Sequence, residues 1–130
     1  MAPSAVNPES LATPRGYSHG MKGSGEILFV AGQVGWNREG QIVSDDLVAQ
    51  FAQALDNVLD VVWKAGGSPL SLARLVIYVT DKQEYRRRSK ELGAAYRKRM
   101  GRHYPAMVAV EVRSLFEDGA RIEIEGVALL

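Results

Sequence analysis

Apolar runs that alternate with helical patterns constrain the fold of this chain more than any other feature. Three runs have the length and composition of buried strands, and they cover residues 26–33, 72–79 and 106–112. Helical patterns follow the first and the second of these runs. Because strands that are connected through helices usually pair in parallel, we predict an α+β fold with a mixed sheet.

The first helix has the clearest boundaries in the sequence. Ser44 is a suitable N-cap, and Asp45 and Asp46 place negative charge in the first turn, where the helix dipole favours it. Apolar side chains then recur at helical spacing as far as Val62. Residues 66–67 are both glycine, which accepts the backbone conformation that ends a helix.

A second helix is predicted after Asp81. Asp81 and Glu84 have the spacing of a capping box, and the pattern continues to about Met100. Residues 121–126 then alternate between polar and apolar side chains, which is typical of a strand with one polar face. Two helices cover only one face of such a sheet, so the face that includes Val108 needs a cover, and we expect a second subunit to provide it.

Length and composition indicate one globular domain. The chain has 130 residues, of which 46% are hydrophobic, and a chain this short supports a single core. Residues 1–14 contain three prolines and little periodicity, so we predict an irregular N-terminal arm there. The domain itself is predicted to cover residues 15–130.

Charge and cysteine content exclude several classes of function. Sixteen basic and fifteen acidic side chains leave a net charge of +1, which does not favour a dedicated nucleic-acid or membrane-surface binder. The absence of cysteine excludes disulfides and thiolate chemistry. We see no signal peptide and no run of the roughly 18 apolar residues that a membrane span needs. We therefore predict a cytoplasmic protein.

Six segments in unbroken order resemble the reactive-intermediate deaminase family, which is also called the Rid or YjgF-like family. They include an early tyrosine segment, a strand that ends in Gly-Gln, a helix that closes with Ala-Gly-Gly, and a Pro-Ala step before a strand. The resemblance covers roughly residues 15–130. The segments are residues 16–20, 29–33, 52–67, 75–81, 104–106 and 122–125.

The resemblance implies a chorismate-mutase-like fold, in which a mixed sheet is packed by two helices. It also implies a homotrimer whose sheets close around a central barrel, with ligand clefts between the subunits. For the best-known branch of the family it implies hydrolysis of enamines and imines released by pyridoxal-phosphate enzymes, which yields a 2-oxo acid and ammonia. No cofactor is expected.

The substrate arginine of that branch is missing from this chain. The position directly after Pro-Ala, where the family's arginine holds the substrate carboxylate, is Met107. A bidentate arginine–carboxylate contact is worth about 1.5–3 kcal/mol, so we expect simple 2-imino acids to bind on the order of tenfold to a hundredfold more weakly. Methionine makes an adaptable apolar wall, and we expect the site to favour neutral or cationic ligands, including bulkier or aromatic ones.

The resemblance also carries over the remaining site positions. Tyr17 and Glu123 would handle the water and the proton of imine hydrolysis, and Gly32 and Ala109 would supply backbone contacts. Two further positions differ from the family, because Ser89 replaces an asparagine of the second helix and His19 replaces a glutamine.

Each of these assignments has a simpler alternative. Glu123 is otherwise part of a solvated strand face, paired with Arg121 or Arg113. Tyr17 is otherwise a half-buried packing residue, and Met107 fills the core without touching a ligand. The alternative function is a non-catalytic trimeric protein that binds a small metabolite in the same clefts.

Metal and RNA sites are not favoured by the sequence. The two histidines, His19 and His103, fit no metal-ligand spacing, although His103 is a candidate for a replacement cation near the cleft. The second helix carries a basic run that includes residues 86–88 and 97–99, and its arginines and lysines are interpreted as a solvated face. Some family members carry ribonuclease labels, but aromatic residues do not alternate with these charges, which disfavours RNA binding.

Overall fold

A four-stranded mixed sheet with helices on one face organises residues 2–130, which this computed structural model describes. The predicted arm at residues 1–14 includes Met1, which lies outside the described residues. The elements are β1 (Ser4–Val6), β2 (Gly20–Lys22), β3 (Ile27–Val34), α1 (Leu47–Lys64), a 3₁₀ turn (Pro69–Ser71), β4 (Leu72–Val79), α2 (Lys82–Arg87), α3 (Ser89–Met100), β5 (Ala106–Glu111) and β6 (Ile122–Leu129).

The sheet has the order β3-β6-β4-β5, so the last strand of the chain lies inside it. Strands β4 and β5 are parallel because the chain returns through α2 and α3, whereas β6 is antiparallel to both β3 and β4. The predicted α+β class and mixed sheet are confirmed. No helix within residues 2–130 is long and apolar enough to cross a membrane.

The core lies between the sheet and helices α1 and α3. Helix α1 buries its apolar stripe against β3 and β6, and α3 packs beside α1. The largest completely buried apolar side chains come from α1, β4 and β6, which are the elements whose apolar pattern is clearest. They include Leu47, Leu55, Leu72, Leu75, Ile122 and Ile124.

The first helix begins two residues later than predicted. Asp46, and not Ser44, is the N-cap, since its Oδ2 accepts a hydrogen bond of 2.9 Å from the Ala49 amide. The Ser44 hydroxyl instead accepts a hydrogen bond of 3.0 Å from the Asp46 amide. Aspartate and serine cap helices about equally well, so the sequence does not distinguish the two positions.

The second helix is not continuous, so three helices replace the two that were predicted. Arg88 leaves helical geometry, with φ −94° and ψ 17°, and separates α2 from α3. Its guanidinium forms ion pairs with Asp46 at 3.0 Å and with Glu91 at 2.8 Å. No glycine or proline marks this break, and Asp46 is distant in sequence, so a local pattern could not show it. The predicted cap at Asp81 is present, because its Oδ1 accepts from the Glu84 amide.

The N-terminal arm is not wholly irregular. Ser4–Val6 pairs in antiparallel fashion with Gly20–Lys22, so three residues of the predicted arm form a strand. Strand β1 is exposed and has no apolar alternation, because it pairs only with the short, half-buried strand β2.

The face of the sheet opposite the helices is open and carries exposed apolar side chains. Phe29 on β3 is 75% exposed, and Val108 and Val110 on β5 are exposed on the same face. The expectation that Val108 and Val110 lack a cover within the chain is therefore confirmed. Exposed apolar patches of this kind usually mark an association surface.

Candidate active site

A cavity of about 360 Å³ lies on the helical side of the sheet, between α3 and the start of β5. Its floor is apolar, and Ser89, Gly93 and Arg97 of α3 form one side. These three residues follow each other at intervals of four, which places them on one face of the helix. The apolar floor consists of Phe51, Ile77, Leu92 and Met107.

Hydrogen bonds to the residues before β5 attach the early tyrosine segment to this cavity. The Ser18 hydroxyl donates to the Tyr104 carbonyl at 2.6 Å, and the Ser18 amide donates to the Pro105 carbonyl at 3.0 Å. Arg15 and Gly16 consequently line the cavity.

Tyr17 and His19 lie beside the cavity and do not line it. Their rings meet edge to face with centroids 5.2 Å apart. The His19 ring also hydrogen-bonds through Nε2 to the Ala12 carbonyl at 2.7 Å, so it anchors the N-terminal arm.

Three tyrosines form another wall of the cavity. Tyr96 and Tyr104 stack with centroids 5.2 Å apart, and the Tyr96 hydroxyl donates to the His103 carbonyl at 2.6 Å. Burial raises the pKa of Tyr96 and of Tyr85 above the ordinary value for tyrosine. Both phenols therefore stay protonated at neutral pH. A protonated phenol can donate a hydrogen bond but cannot act as a base.

Met107 and Ser89 both line this cavity. Met107 pairs in register with Leu75, a core residue, so its side chain lies on the helix-facing side of β5. Ala109 is two residues further along the same side, but it is exposed and lies beyond the cavity lining.

Glu123 and Gly32 lie together on the opposite face of the sheet. Ile122 and Ile124 are buried against the helices, so Glu123 between them faces the open side. A Cβ atom on Gly32 would overlap Oε2 of Glu123 and would lie 2.9 Å from its Cδ. The missing side chain of Gly32, at a register shift in β3, therefore makes room for the carboxylate.

Four of the sequence-predicted site residues thus form two groups that one chain does not bring together. Met107 and Ser89 line the cavity on the helical side, whereas Glu123 and Gly32 lie on the open side. Glu123 takes part in no ion pair within residues 2–130, and Arg121 pairs with Glu84 instead. The pairing of Glu123 with Arg121 or Arg113 that the alternative predicted is therefore not formed within residues 2–130.

Glu125 has a defined partner on the open face. The Tyr78 hydroxyl donates to Oε1 of Glu125, and this hydrogen bond raises the pKa of Tyr78 above its ordinary value of 10.0. The folded state thus favours the neutral phenol, and the stability that results is present below about pH 10 and is lost as the pH rises through the raised pKa.

We expect Glu125→Gln to lower the pKa of Tyr78 towards 10, because the negative charge that opposes phenolate formation is removed. An ultraviolet absorbance titration of tyrosinate would measure this shift. Tyr78→Phe is the control that identifies the Tyr78 transition among the five tyrosines of the chain. An unchanged titration in Glu125→Gln would contradict the assignment.

Two cations at the cavity were missed by the sequence analysis. Arg15 and Arg97 line it and are exposed to solvent, which places both at its opening. The basic run at residues 97–99 was interpreted as a solvated face, and only Gly93, four residues before Arg97, hinted at a special position. The Arg97 Nη1 atom lies 3.0 Å from the place that a Gly93 Cβ would occupy.

His103 does not provide the replacement cation. Its Nε2 atom hydrogen-bonds to the Leu72 carbonyl at 2.7 Å, and the ring does not line the cavity. Within residues 2–130, no three histidine, aspartate or glutamate side chains lie close enough together to hold a metal ion.

Comparison with known proteins identifies the family. A family model described as Endoribonuclease L-PSP matches residues 8–130, so the chain belongs to this family, the YjgF/Rid proteins. A RutC family protein from Pyrococcus abyssi is 32% identical over 130 residues, which cover 98% of both chains. The 2-iminobutanoate/2-iminopropanoate deaminase of Escherichia coli is 30% identical over 131 residues, which cover 98% of this chain and 91% of that protein.

A solved structure confirms the predicted fold. A Rid-family protein of unknown function from Yersinia pestis superposes with a TM-score of 0.89 at 32% identity, and the match covers 100% of both chains. The family and the chorismate-mutase-like α+β fold that the resemblance implied are therefore both confirmed.

Proposed function

We propose that this protein is an enamine or imine hydrolase of the Rid type that disfavours small 2-imino acids. Two features of the chain support the proposal together. The cavity has an apolar floor that includes Met107, and the Glu123 carboxylate has no ion-pair partner within residues 2–130. The similarity to deaminases of 2-iminobutanoate and 2-iminopropanoate supports imine chemistry.

The site requires more than one copy of the chain. Met107 and Glu123 lie on opposite faces of the sheet, so the cavity of one subunit would meet the carboxylate of the next. The open apolar face, with Phe29 exposed, supports association, and we propose the homotrimer that the family resemblance implies.

The chemistry follows from the groups at such a cleft. The Glu123 carboxylate takes a proton from a water molecule as the water oxygen bonds to the imine carbon. The Glu123 carboxyl returns that proton to the imine nitrogen, which gives a carbinolamine. Glu123 then moves the proton of the carbinolamine hydroxyl to the amine nitrogen, the carbon–nitrogen bond breaks, and ammonia leaves as the carbonyl forms. Tyr17 orients the water, while Gly32 and Ala109 offer backbone contacts.

The test compares imines of different size. An L-amino acid oxidase would generate imines from alanine and from leucine in the assay, and ammonia release would be followed with and without the protein. We expect faster hydrolysis of the leucine-derived imine. Absence of turnover with every imine, together with retained ligand binding, would instead indicate the non-catalytic binding protein.

Met107→Arg should restore hydrolysis of the small alanine-derived imine by roughly tenfold to a hundredfold, because a guanidinium would again reach the carboxylate. The measured quantity is kcat/KM for ammonia release. Ala94→Arg is the control, since it adds the same charge at an exposed position of α3 outside the cavity. Vigorous wild-type hydrolysis of 2-iminopropanoate would contradict the proposed specificity.

A further inference from the structure

We propose that Arg15 and Arg97 bind the acid group of the substrate at the cavity opening, so that the site selects carboxylates with a large apolar group. This inference rests on the proposed function, because it names the substrate class of the same site. It differs from the expectation of neutral or cationic ligands, which follows from Met107 alone, because two guanidinium groups lie at the same cavity.

The backbone places both arginines at the same opening. The hydrogen bond from Ser18 to the Pro105 carbonyl holds the segment that carries Arg15 against the start of β5. Arg97 lies on the helix face that Ser89 and Gly93 share, and the absence of a side chain at Gly93 leaves room for its guanidinium. Two positive groups at one opening repel each other unless an anion lies between them.

Both guanidinium groups are available to a ligand. The ion pairs formed within residues 2–130 use Arg88, Arg99 and Arg121, and neither Arg15 nor Arg97 takes part. An arginine without a protein acceptor can offer both arms of its fork to a carboxylate. This distinguishes the two arginines from their neighbours in the basic run, since Arg99 is held by Asp56 at 2.6 Å.

The apolar floor determines what the rest of the ligand must be. Phe51, Leu92 and Met107 offer no polar atom able to bind an acid group, and they lie inside a cavity of about 360 Å³, which falls in the usual range for small-molecule sites. A small acid held at the opening leaves this floor in contact with water. A ligand with an aromatic or branched group fills the floor while its carboxylate reaches the arginines.

The test is a calorimetric titration with three probes: 3-phenylpropionate, its neutral amide 3-phenylpropionamide, and propionate. We expect wild-type protein to bind 3-phenylpropionate more tightly than either of the others. Arg97→Gln and Arg15→Gln should each weaken binding of 3-phenylpropionate by about threefold to tenfold, and the double variant should bind acid and amide equally. Lys98→Gln removes the same charge from the next residue and should change nothing, because Lys98 does not line the cavity.

Two results would overturn the inference: equal wild-type affinity for acid and amide, or an equal loss of affinity in Lys98→Gln. The binding test needs no turnover, so its outcome is separable from the proposed function. If the probes bind as expected and no imine is hydrolysed, the ligand class stands and the enzymatic proposal fails. If the leucine-derived imine is hydrolysed faster than the alanine-derived imine and the arginine variants leave both rates unchanged, the enzymatic proposal stands and this inference fails.

Discussion

Glu123→Gln is expected to lower kcat for imine hydrolysis by about 10²–10⁴, since an amide cannot take the proton of the attacking water. The replacement keeps the shape of the side chain that occupies the space above Gly32, so the fold should persist. Ammonia release and thermal unfolding, measured on the same preparation, would separate a loss of chemistry from a loss of structure.

Glu125→Gln is the matched control for this experiment. Glu125 lies on the same face of the same strand as Glu123, and the replacement removes the same charge. The partner of Glu125 is Tyr78, and Glu125 has no proposed role with the ligand. We expect its turnover to stay within a few fold of wild type. Wild-type activity in Glu123→Gln, or an equal loss in Glu125→Gln, would remove Glu123 from the proposed mechanism.

Gln50→Ala is expected to lower the free energy of unfolding by about 3–5 kcal/mol. Gln50 is completely buried, at 0% exposure, and it joins the segment before its own helix, at Ser44, to the distant residues Gly119 and Arg121. Its Nε2 atom donates to the carbonyls of Ser44 at 2.8 Å and Gly119 at 3.0 Å, and its Oε1 atom accepts from the Arg121 amide at 2.8 Å. Alanine leaves these groups without their partner and opens a cavity.

Chemical denaturation would measure this loss, and Gln53→Ala provides the comparison. Gln53 is on the same helix but is half-buried, and its Nε2 atom donates only to the Asn57 side chain at 2.9 Å. Its replacement should cost less than about 1 kcal/mol. A loss of under 1 kcal/mol in Gln50→Ala would mean that water replaces the missing amide and that the segments at Ser44 and at residues 119–121 are held by other contacts.

The strands and helices were predictable where their signals are local. The run at residues 72–79 is a strand with those same bounds, and the apolar stripe of the first helix is buried as its spacing predicts. Errors occurred where two local signals compete or where none exists. Ser44 and Asp46 are equally good caps, and the interruption at Arg88 coincides with ion pairs to residues that include the distant Asp46.

The candidate site was predictable as a set of residue types but not as an arrangement. Met107 and Glu123 are visible in the sequence as a lost arginine and a retained carboxylate. Their positions on opposite faces follow from strand register, because a shift of one residue moves a side chain to the other side of a sheet.

Periodicity and capping depend on neighbours within one turn of helix or a few residues of strand. The amino-acid sequence therefore specifies the order of the elements and their buried stripes, and it shows directly that position 107 is apolar. Long-range hydrogen bonds decide the remainder. The contact between Ser18 and Pro105 holds Arg15 at the cavity that Arg97 also lines, and the bonds of Gln50 to Gly119 and Arg121 join helix α1 to a loop that no local pattern relates to it. Such contacts form between residues far apart in the chain, and their energies depend on packing that exists only after the sheet and helices have assembled.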